Sequence, residues 1–154
     1  MVEEYHEGGC VCGQLRFRAL GSPRRVSLCS CQWCRKRSGS PIGLSVYFKK
    51  KQIAFLQGHL QSHTLYSDAG RWIKSQFCPD CGSTLTWTLE FLPEYRGFGG
   101  GAFDAPEFIY PERYVYSRNK PEWIQVASDI ALCPAMAEQP KNTGNNPGAI
   151  GGHT

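Results

Sequence analysis

The 154-residue chain lacks long hydrophobic runs, has few charged residues and carries only a small net charge. No apolar stretch approaches the roughly 20 residues of a membrane-spanning helix, and the acidic, polar start over residues 1–7 lacks the apolar core of a secretory signal. Charged residues amount to 19%, too few for a coiled coil or a histone-like protein. The net charge of +4 makes nucleic acid an unfavoured partner and slightly favours anionic small molecules. We expect a cytoplasmic protein with no membrane association.

Apolar residues are plentiful enough for one packed core. Hydrophobic residues make up 41% of the chain and aromatic residues 12%, which excludes a wholly disordered protein. From residue 134 onward the sequence is poor in large apolar residues and rich in Gly, Pro and Asn, so it can bury little surface. The length and composition predict one domain over residues 5–133 and a mobile or loosely docked tail over residues 134–154.

The hydrophobic pattern is typical of a mainly β protein. Residues 15–19 alternate between apolar side chains and arginines, which is the period of a half-buried strand, and residues 26–28 indicate a strand that runs into a cysteine cluster. Turn signals rich in Gly, Asp and Ser separate the later segments. The further predicted strands are residues 42–49, 53–56, 60–66, 71–77, 84–91 and 113–117. One short helix is predicted over residues 32–38, because Gly39 follows it.

The eight cysteines are the most informative residues of the chain. In a reducing compartment they are not expected to form disulfides, so metal or redox chemistry is the more common use. Seven of them fall into tight groups. We call the two pairs together the quartet (Cys10, Cys12, Cys78 and Cys81) and the group of three the triplet (Cys29, Cys31 and Cys34). One isolated pair would be a weak signal, whereas three groups in one short chain strongly indicate metal binding.

Seven sulfurs cannot fill two closed sites of four ligands each, and they divide naturally into four and three. A structural zinc site takes four protein ligands, whereas a catalytic site keeps three and leaves one position open. We expect the quartet to hold a structural zinc ion that closes a long loop and contributes folding free energy. The triplet would then hold a second zinc ion with an open coordination position.

Other interpretations of the cysteines stay open at this point. The triplet could be completed by Cys133, His59 or His63, which would make both sites structural. Thiol redox catalysis is less favoured, because no βαβ pattern surrounds any of the motifs. Cys133 stands alone before Pro134, and we expect it to be a buried cysteine without a metal.

The order of the three cysteine motifs resembles that of a known family. The segments GGCVCGQLRFR, VSLCSCQWCRKRSGSP and FCPDCGSTL are similar to the glutathione-dependent formaldehyde-activating enzyme family, also called the centromere protein V family. The likeness covers residues 7–126. It implies a mainly β, zinc-stapled, MSS-four-like complex of antiparallel sheets with one short helix. It also implies two zinc ions per chain, a structural one in the quartet and a catalytic one in the triplet.

The resemblance implies a carbon–sulfur lyase or synthase that acts on glutathione adducts, such as S-hydroxymethylglutathione formed from formaldehyde and glutathione. Zinc with three thiolates is already negatively charged, and the thiolate of a substrate adds to that charge, which favours nearby cations. We therefore expect substrate contacts from residues in and after the triplet. The candidates are Trp33, Arg35, Lys36, Arg37 and Ser38. The competing interpretation for residues 35–40 is a solvated charge run followed by an ordinary helix stop.

The sequence does not fix a general acid or base. Asp68, Asp104 and Tyr114 are candidates, and Tyr114 stands where the family commonly carries a histidine. We expect His6 to be solvated in a frayed end. The tryptophans other than Trp33 are expected in the core, while Trp33 is expected to wall the substrate pocket.

Two further classes of function compete with the enzyme. The centromere-associated branch of the family implies a non-catalytic, zinc-stapled module that binds protein or chromatin, although the small net charge disfavours chromatin. A chaperone or exchange-factor surface rests on fold analogy alone. A triplet with an open position favours the enzyme.

Overall fold

The computed structural model describes residues 3–67 and 70–135. Eleven strands, one α-helix and four short 3₁₀ turns form this part of the chain, so the predicted mainly β class is confirmed. None of its helices is long and apolar enough to cross a membrane. Asp68 and residues 136–154 of the predicted tail lie outside the described residues.

The strands match the predicted segments closely in most places. The strands are β1 (Tyr5–Gly9), β2 (Arg16–Leu20), β3 (Arg25–Cys29), β4 (Gly43–Lys49), β5 (Ile53–Gln57), β6 (Gln61–Tyr66), β7 (Trp72–Phe77), β8 (Thr84–Leu89), β9 (Tyr95–Gly99), β10 (Arg113–Val115) and β11 (Ala131–Cys133). The helix is α1 (Gln32–Ser38), as predicted. The 3₁₀ turns are Lys50–Gln52, Gly100–Ala102, Pro106–Phe108 and Ser117–Asn119.

The strands form two sheets of unequal size. A three-stranded antiparallel sheet has the order β1–β2–β5, and an eight-stranded sheet has the order β11–β10–β3–β4–β9–β8–β7–β6. Most neighbouring strands are antiparallel. At one edge, however, β10 runs parallel to β3, and β11 runs parallel to β10. The parallel pairs bring the chain after residue 112 alongside the strand that leads into the triplet.

The main core lies between the two sheets. Phe17 of β2 is almost wholly buried and stacks on Phe98 of β9, with ring centroids 4.4 Å apart. Phe103 meets Phe17 edge to face, and Val46 and Phe48 of β4 join the same cluster. Side chains alternate along a strand. Residues of β4 that alternate with Val46 and Phe48, such as Tyr47, therefore face the opposite side of the large sheet. That opposite face carries the triplet.

Helix α1 lies over this opposite face. Cys31 caps its start by accepting a hydrogen bond from the N–H of Cys34, and Gly39 ends it in the left-handed conformation with φ 67°. The guanidinium of Arg37 lies 3.5 Å from the ring centroid of Trp87 in β8, which fixes the helix against the sheet. Trp33 packs against two hydrophobic clusters, one that contains Trp87 and one that contains the triplet.

The structure contains strands that the sequence pattern did not predict and corrects two side-chain predictions. β1, β9 and β11 carry too few regularly spaced apolar residues to show the period of a strand. His6 is not in a frayed end, because it lies in β1 with its side chain 10% exposed and stacked on Phe108. The prediction for Trp123 is also wrong, since this tryptophan is 75% exposed.

Candidate metal centres

The four sulfurs of the quartet lie within 4.8 Å of one another. Cys10 and Cys12 are separated by 3.5 Å between their Sγ atoms, and Cys12 and Cys78 by 3.7 Å. Four thiolates at about 2.3 Å from a tetrahedral zinc ion are about 3.8 Å apart, so the spacing fits such an ion. The set is half enclosed, with Cys10 and Cys78 buried and Cys12 and Cys81 exposed.

Two tight turns bring these sulfurs together. Gly82 has φ +77°, and its N–H bonds to the carbonyl of Cys78 at 2.9 Å, which closes the turn between Cys78 and Cys81. The amide of Leu15 donates to the Cys10 sulfur at 3.3 Å. A hydrogen bond with the Ser83 hydroxyl at 3.2 Å helps to lower the pKa of Cys81 to about 5. Donors of this kind stabilise thiolates and so prepare the turns for a cation.

The three sulfurs of the triplet also lie within 4.8 Å of one another. Cys29 ends β3, and Cys31 caps α1, so the end of a strand and the first turn of a helix supply the donors. Cys29 and Cys31 are buried and Cys34 is half-buried. The amide of Cys34 donates to the Cys31 sulfur at 3.3 Å.

Contacts among the three triplet thiols favour the thiolate form of Cys31 over that of Cys29. Hydrogen bonds from Cys29 and Cys34 lower the pKa of Cys31 to about 3. The same contact with Cys31 raises the pKa of Cys29, and burial adds to the increase. Three sulfurs that compete for protons in a buried space suit a soft divalent cation, which relieves the repulsion between thiolates.

Ser30, which stands between Cys29 and Cys31, has a hydrogen-bond partner for every polar group. The amide of Ser30 donates to the carbonyl of Val115 at 3.3 Å, and its carbonyl accepts from the Asn119 side chain at 3.3 Å. Its hydroxyl donates to the carbonyl of Pro41 at 2.8 Å and lies 2.6 Å from the hydroxyl of Tyr114. Ser30 is completely buried. The backbone that carries the triplet is therefore fixed from three sides.

No fourth protein ligand joins the triplet within residues 3–67 and 70–135. No other Cys, His, Asp or Glu of these residues comes within 4.8 Å of all three sulfurs. His59 is exposed before β6, and His63 lies on β6 at the far side of α1. Cys133 is half-buried in β11, two strands away from Cys29. The triplet thus offers three ligands and an open side.

The open side of the triplet faces a cleft of about 100 Å³. Strands β3, β4 and β10 form its floor and the segment after β8 forms a wall. The lining residues are Arg25, Ser27, Cys29, Cys31, Cys34, Ser45, Tyr47, Leu89, Phe91, Leu92, Arg113, Val115 and Tyr116. Within residues 3–67 and 70–135, two arginines and no acidic residue line the cleft, so its described charges favour an anion.

Strand register orders the floor of the cleft into rows. Cys29 lies beside Val115, Arg113 beside Ser27, and Arg25 beside Tyr47. At about 3.3 Å per residue, the Arg113 row lies about 7 Å from the Cys29 row, and Arg25 lies about 13 Å from it. The cations therefore stand at two defined distances from the sulfurs along one face of the sheet.

Two tyrosines of the cleft were not found from the sequence. The hydroxyl of Tyr47 accepts a hydrogen bond from the indole N–H of Trp87 at 3.0 Å, and burial raises the pKa of Tyr47 to about 12. Tyr116 is buried and is the one described residue other than glycine with a positive φ, 52°. Strained backbone of this kind is concentrated at functional sites. The alternation of β3 and β4 could have indicated Arg25 and Tyr47, but only strand pairing brings Arg113 beside them.

The structure separates the predicted substrate contacts from the cleft. Trp33, Lys36 and Arg37 line a second pocket on the opposite face of α1. Ser38 donates to the carbonyl of Cys34 at 2.7 Å, as expected of a helix stop. Arg35 carries a buried Nε atom without a hydrogen-bond partner among the described residues. None of these side chains lines the cleft of the triplet.

The acid–base candidates also lie away from the open side of the triplet. Asp104 pairs with Arg16 through two hydrogen bonds, and this contact lowers the pKa of its carboxyl group. Tyr114 is buried on the core side of β10, with its hydroxyl on Ser30. The third candidate, Asp68, lies outside the described residues.

Comparison with known proteins agrees with the resemblance of the cysteine motifs. The family model described as glutathione-dependent formaldehyde-activating enzyme matches residues 5–119. A Halomonas elongata protein provisionally named as such an enzyme is 29% identical, over 79% of this chain and 81% of that protein. An uncharacterised lyase of Schizosaccharomyces pombe is 23% identical, over 82% of this chain and 89% of that protein.

A solved structure supports the arrangement of the sheets. The crystal structure of a Rhodobacter sphaeroides protein superposes with a TM-score of 0.52 at 19% sequence identity. The match covers 64% of this chain and 88% of that one. At this level of identity the likeness concerns the fold alone.

Proposed function

The chain belongs to the glutathione-dependent formaldehyde-activating enzyme family, and we propose that it is a zinc-dependent carbon–sulfur lyase or synthase that makes and breaks S-hydroxymethyl adducts of glutathione. The observation that carries this proposal is the open side of the triplet. Three sulfurs converge there on a cleft whose described charged residues are Arg25 and Arg113. A zinc ion bound to the triplet would lower the pKa of an incoming thiol, so that the thiol is a thiolate near neutral pH.

The two metal centres have different roles in this proposal. The quartet joins the turn after β1 to the turn after β7, and it holds a structural zinc ion with four protein ligands. The triplet holds the catalytic zinc ion with three. Thiol donors alone make up both sets, which is the ligand chemistry that zinc accepts in proteins. The chain therefore binds two zinc ions, and the triplet ion is the more labile.

Two arginines on one side of the triplet suit a peptide that carries both a thiol and carboxylates. Glutathione is such a molecule, and an extended tripeptide spans about 10 Å. With its sulfur at the triplet, its carboxylates reach toward Arg113, about 7 Å along the floor, and toward the side chain of Arg25, about 13 Å along it. Charge-assisted pairs between guanidinium and carboxylate orient the thiol. We therefore assign the carboxylate contacts to these two arginines in place of Lys36 and Arg37, while Trp33 supports the triplet by packing.

The reaction needs a proton at the oxygen of the aldehyde. In the synthetic direction the sulfur forms a bond to the carbonyl carbon, the carbon–oxygen π bond opens, and the oxygen takes up a proton. Tyr47 lines the cleft, keeps its proton at neutral pH and receives its own hydrogen bond from Trp87, which leaves the phenolic proton for the substrate oxygen. The thiol releases its own proton to solvent when it becomes a thiolate, and a proton from solvent restores Tyr47, so no proton is consumed overall. In the reverse reaction the adduct hydroxyl gives its proton back to the Tyr47 oxygen, the carbon–oxygen π bond re-forms and the carbon–sulfur bond breaks.

Titration of the cobalt-substituted protein with glutathione tests the proposal. Cobalt(II) reports each thiolate ligand through its charge-transfer absorption, so a free thiol that occupies the open position adds a new band. S-Methylglutathione, which has the same carboxylates but no free thiol, is the matched control and should leave the spectrum unchanged. No new band with glutathione would favour the non-catalytic binding module, and a new band without formaldehyde turnover would limit the function to thiol binding.

A further inference from the structure

A second pocket lies on the same face of the large sheet, across α1 from the triplet. Its volume is about 580 Å³, within the range of small-molecule sites. The floor consists of alternate residues of β6 and β7 with the start of β8, and α1 forms the wall. The lining residues are Gln32, Trp33, Lys36, Arg37, His63, Leu65, Ser75, Phe77 and Thr84.

The period of the helix explains why α1 separates two sites. At 3.6 residues per turn, the side chains of positions 32, 33, 36 and 37 project from one half of the helix, and Cys31 and Cys34 from the other half. Cys34 accordingly lines the cleft, whereas Lys36 lines the second pocket. No residue of the described part of the chain lines both openings.

The chemistry of the second pocket combines an apolar surface with unbalanced positive charge. Trp33, Leu65 and Phe77 supply the apolar area, and Lys36 and Arg37 supply two cations. No acidic residue of the described chain lines it, and none pairs with either cation within 4.0 Å. The Nε atom of Arg37 is buried without a hydrogen-bond partner among these residues.

We propose that this pocket is a second binding site, for a small organic anion whose carboxylate meets Lys36 and Arg37 and whose apolar body lies on Trp33, Leu65 and Phe77. Arg37 is held in place by Trp87, so one cation is preorganised for a carboxylate. The exposed Lys36 contributes a flexible second charge. The site lies outside the cleft of the triplet, and the inference does not rest on the reaction proposed there.

Binding of 2-naphthoate and its neutral isostere 2-naphthamide to the zinc-loaded full chain tests this site. Both present the same apolar body, and only naphthoate carries a charge. We expect naphthoate to bind at least about tenfold more tightly, because a charge-assisted contact contributes about 1.5–3 kcal/mol. In the nuclear magnetic resonance spectrum naphthoate should shift the indole N–H of Trp33 and leave that of the exposed Trp123 in place.

Variants locate the anion within the pocket. Lys36→Gln should weaken naphthoate about three- to tenfold, whereas Lys51→Gln, at an exposed lysine outside the pocket, should change nothing. Leu65→Asp, at a partly exposed position of β6, should abolish naphthoate binding. Saturating glutathione should not displace naphthoate. The proposal is overturned if naphthamide binds as tightly as naphthoate or if the Trp33 signal does not move. It is also overturned if the two lysine variants bind naphthoate alike or if Leu65→Asp still binds it. Displacement of naphthoate by glutathione would overturn it as well.

Discussion

The phenolic oxygen of Tyr114 lies 2.6 Å from the Oγ atom of Ser30, and both side chains are completely buried. The single hydroxyl proton of Ser30 is donated to the carbonyl of Pro41, so Tyr114 is the donor in this pair. Ser30 stands between Cys29 and Cys31. Tyr114 is therefore a positioning residue that holds the backbone of two triplet sulfurs without facing the cleft.

Tyr114→Phe should loosen the triplet while leaving the fold intact. Loss of such an outer hydrogen bond lowers metal affinity by about 10- to 100-fold, and loss of one buried hydrogen bond costs about 1 kcal/mol of unfolding free energy. Competition with a chromophoric chelator measures the affinity of each zinc ion. Tyr110→Phe, which removes a surface hydroxyl bonded to Asp129, is the matched control. Equal zinc affinities in the two variants would contradict the positioning role.

The two cysteine clusters should respond differently to loss of one sulfur. Cys31→Ser should release the triplet zinc and keep the thermal transition near that of the wild type, because the sheets do not depend on that ion. Cys81→Ser should unfold the protein, since a structural zinc ion contributes folding free energy directly. Metal analysis and thermal denaturation measure both effects, with Cys133→Ser as the unaffected control. Equal losses of stability in the Cys31 and Cys81 variants would refute the division of roles.

Arg25→Gln should weaken glutathione binding by about tenfold or more. The reason is that a charge-assisted hydrogen bond contributes about 1.5–3 kcal/mol. Arg24→Gln changes the neighbouring exposed arginine, which does not line the cleft, and should leave the dissociation constant unchanged. Calorimetric titration compares the two. Similar affinities for both variants would place the carboxylates of glutathione elsewhere.

Tyr47→Phe should lower kcat by about 100-fold with little change in KM, as expected for a proton donor that acts on the transition state. Formaldehyde consumption in the presence of glutathione measures both constants. The exposed Tyr66 provides the control, Tyr66→Phe. A KM that rises while kcat stays constant would assign Tyr47 to binding instead.

Gly8→Ala should lower the free energy of unfolding by about 3 kcal/mol or more, the upper end of the cost of overpacking. The reason is that the added Cβ atom would lie 2.2 Å from the backbone carbonyl oxygen of Ala102. Gly101→Ala meets no atom within 4 Å and should be nearly neutral. Chemical denaturation of the zinc-loaded variants measures the difference. Similar midpoints would show that β1 can shift away from the turn at Gly100–Ala102.

Much of the fold could be predicted from local pattern. Alternating apolar residues identified β2, β-branched and aromatic residues indicated β4, and Gly39 marked the end of α1. Each of these signals depends on a few neighbouring residues. β9 could not be predicted, because two glycines interrupt its pattern. Gly97 is explained only by the indole of Trp87, which lies 2.4 Å from where a Cβ atom would be.

The site divides in the same way between sequence and structure. Cysteine spacing identified both clusters, because ligands two or three residues apart can meet through a single turn. The charged residues that line the cleft could not be predicted by proximity in sequence. Lys36 and Arg37 follow the triplet directly, yet the turn of the helix directs them into another pocket. Arg113 follows Cys34 by 79 residues, and the pairing of β10 with β3 places it in the cleft.

The sequence by itself determined which sulfurs gather into the two clusters, because cysteines two or three residues apart can meet through a single turn. Only the tertiary structure decided what surrounds the triplet. The parallel pairing of β3 with β10 and the placement of α1 across the sheet depend on contacts between residues far apart in the chain. Such contacts are set by packing of whole elements, which no local pattern of residues encodes.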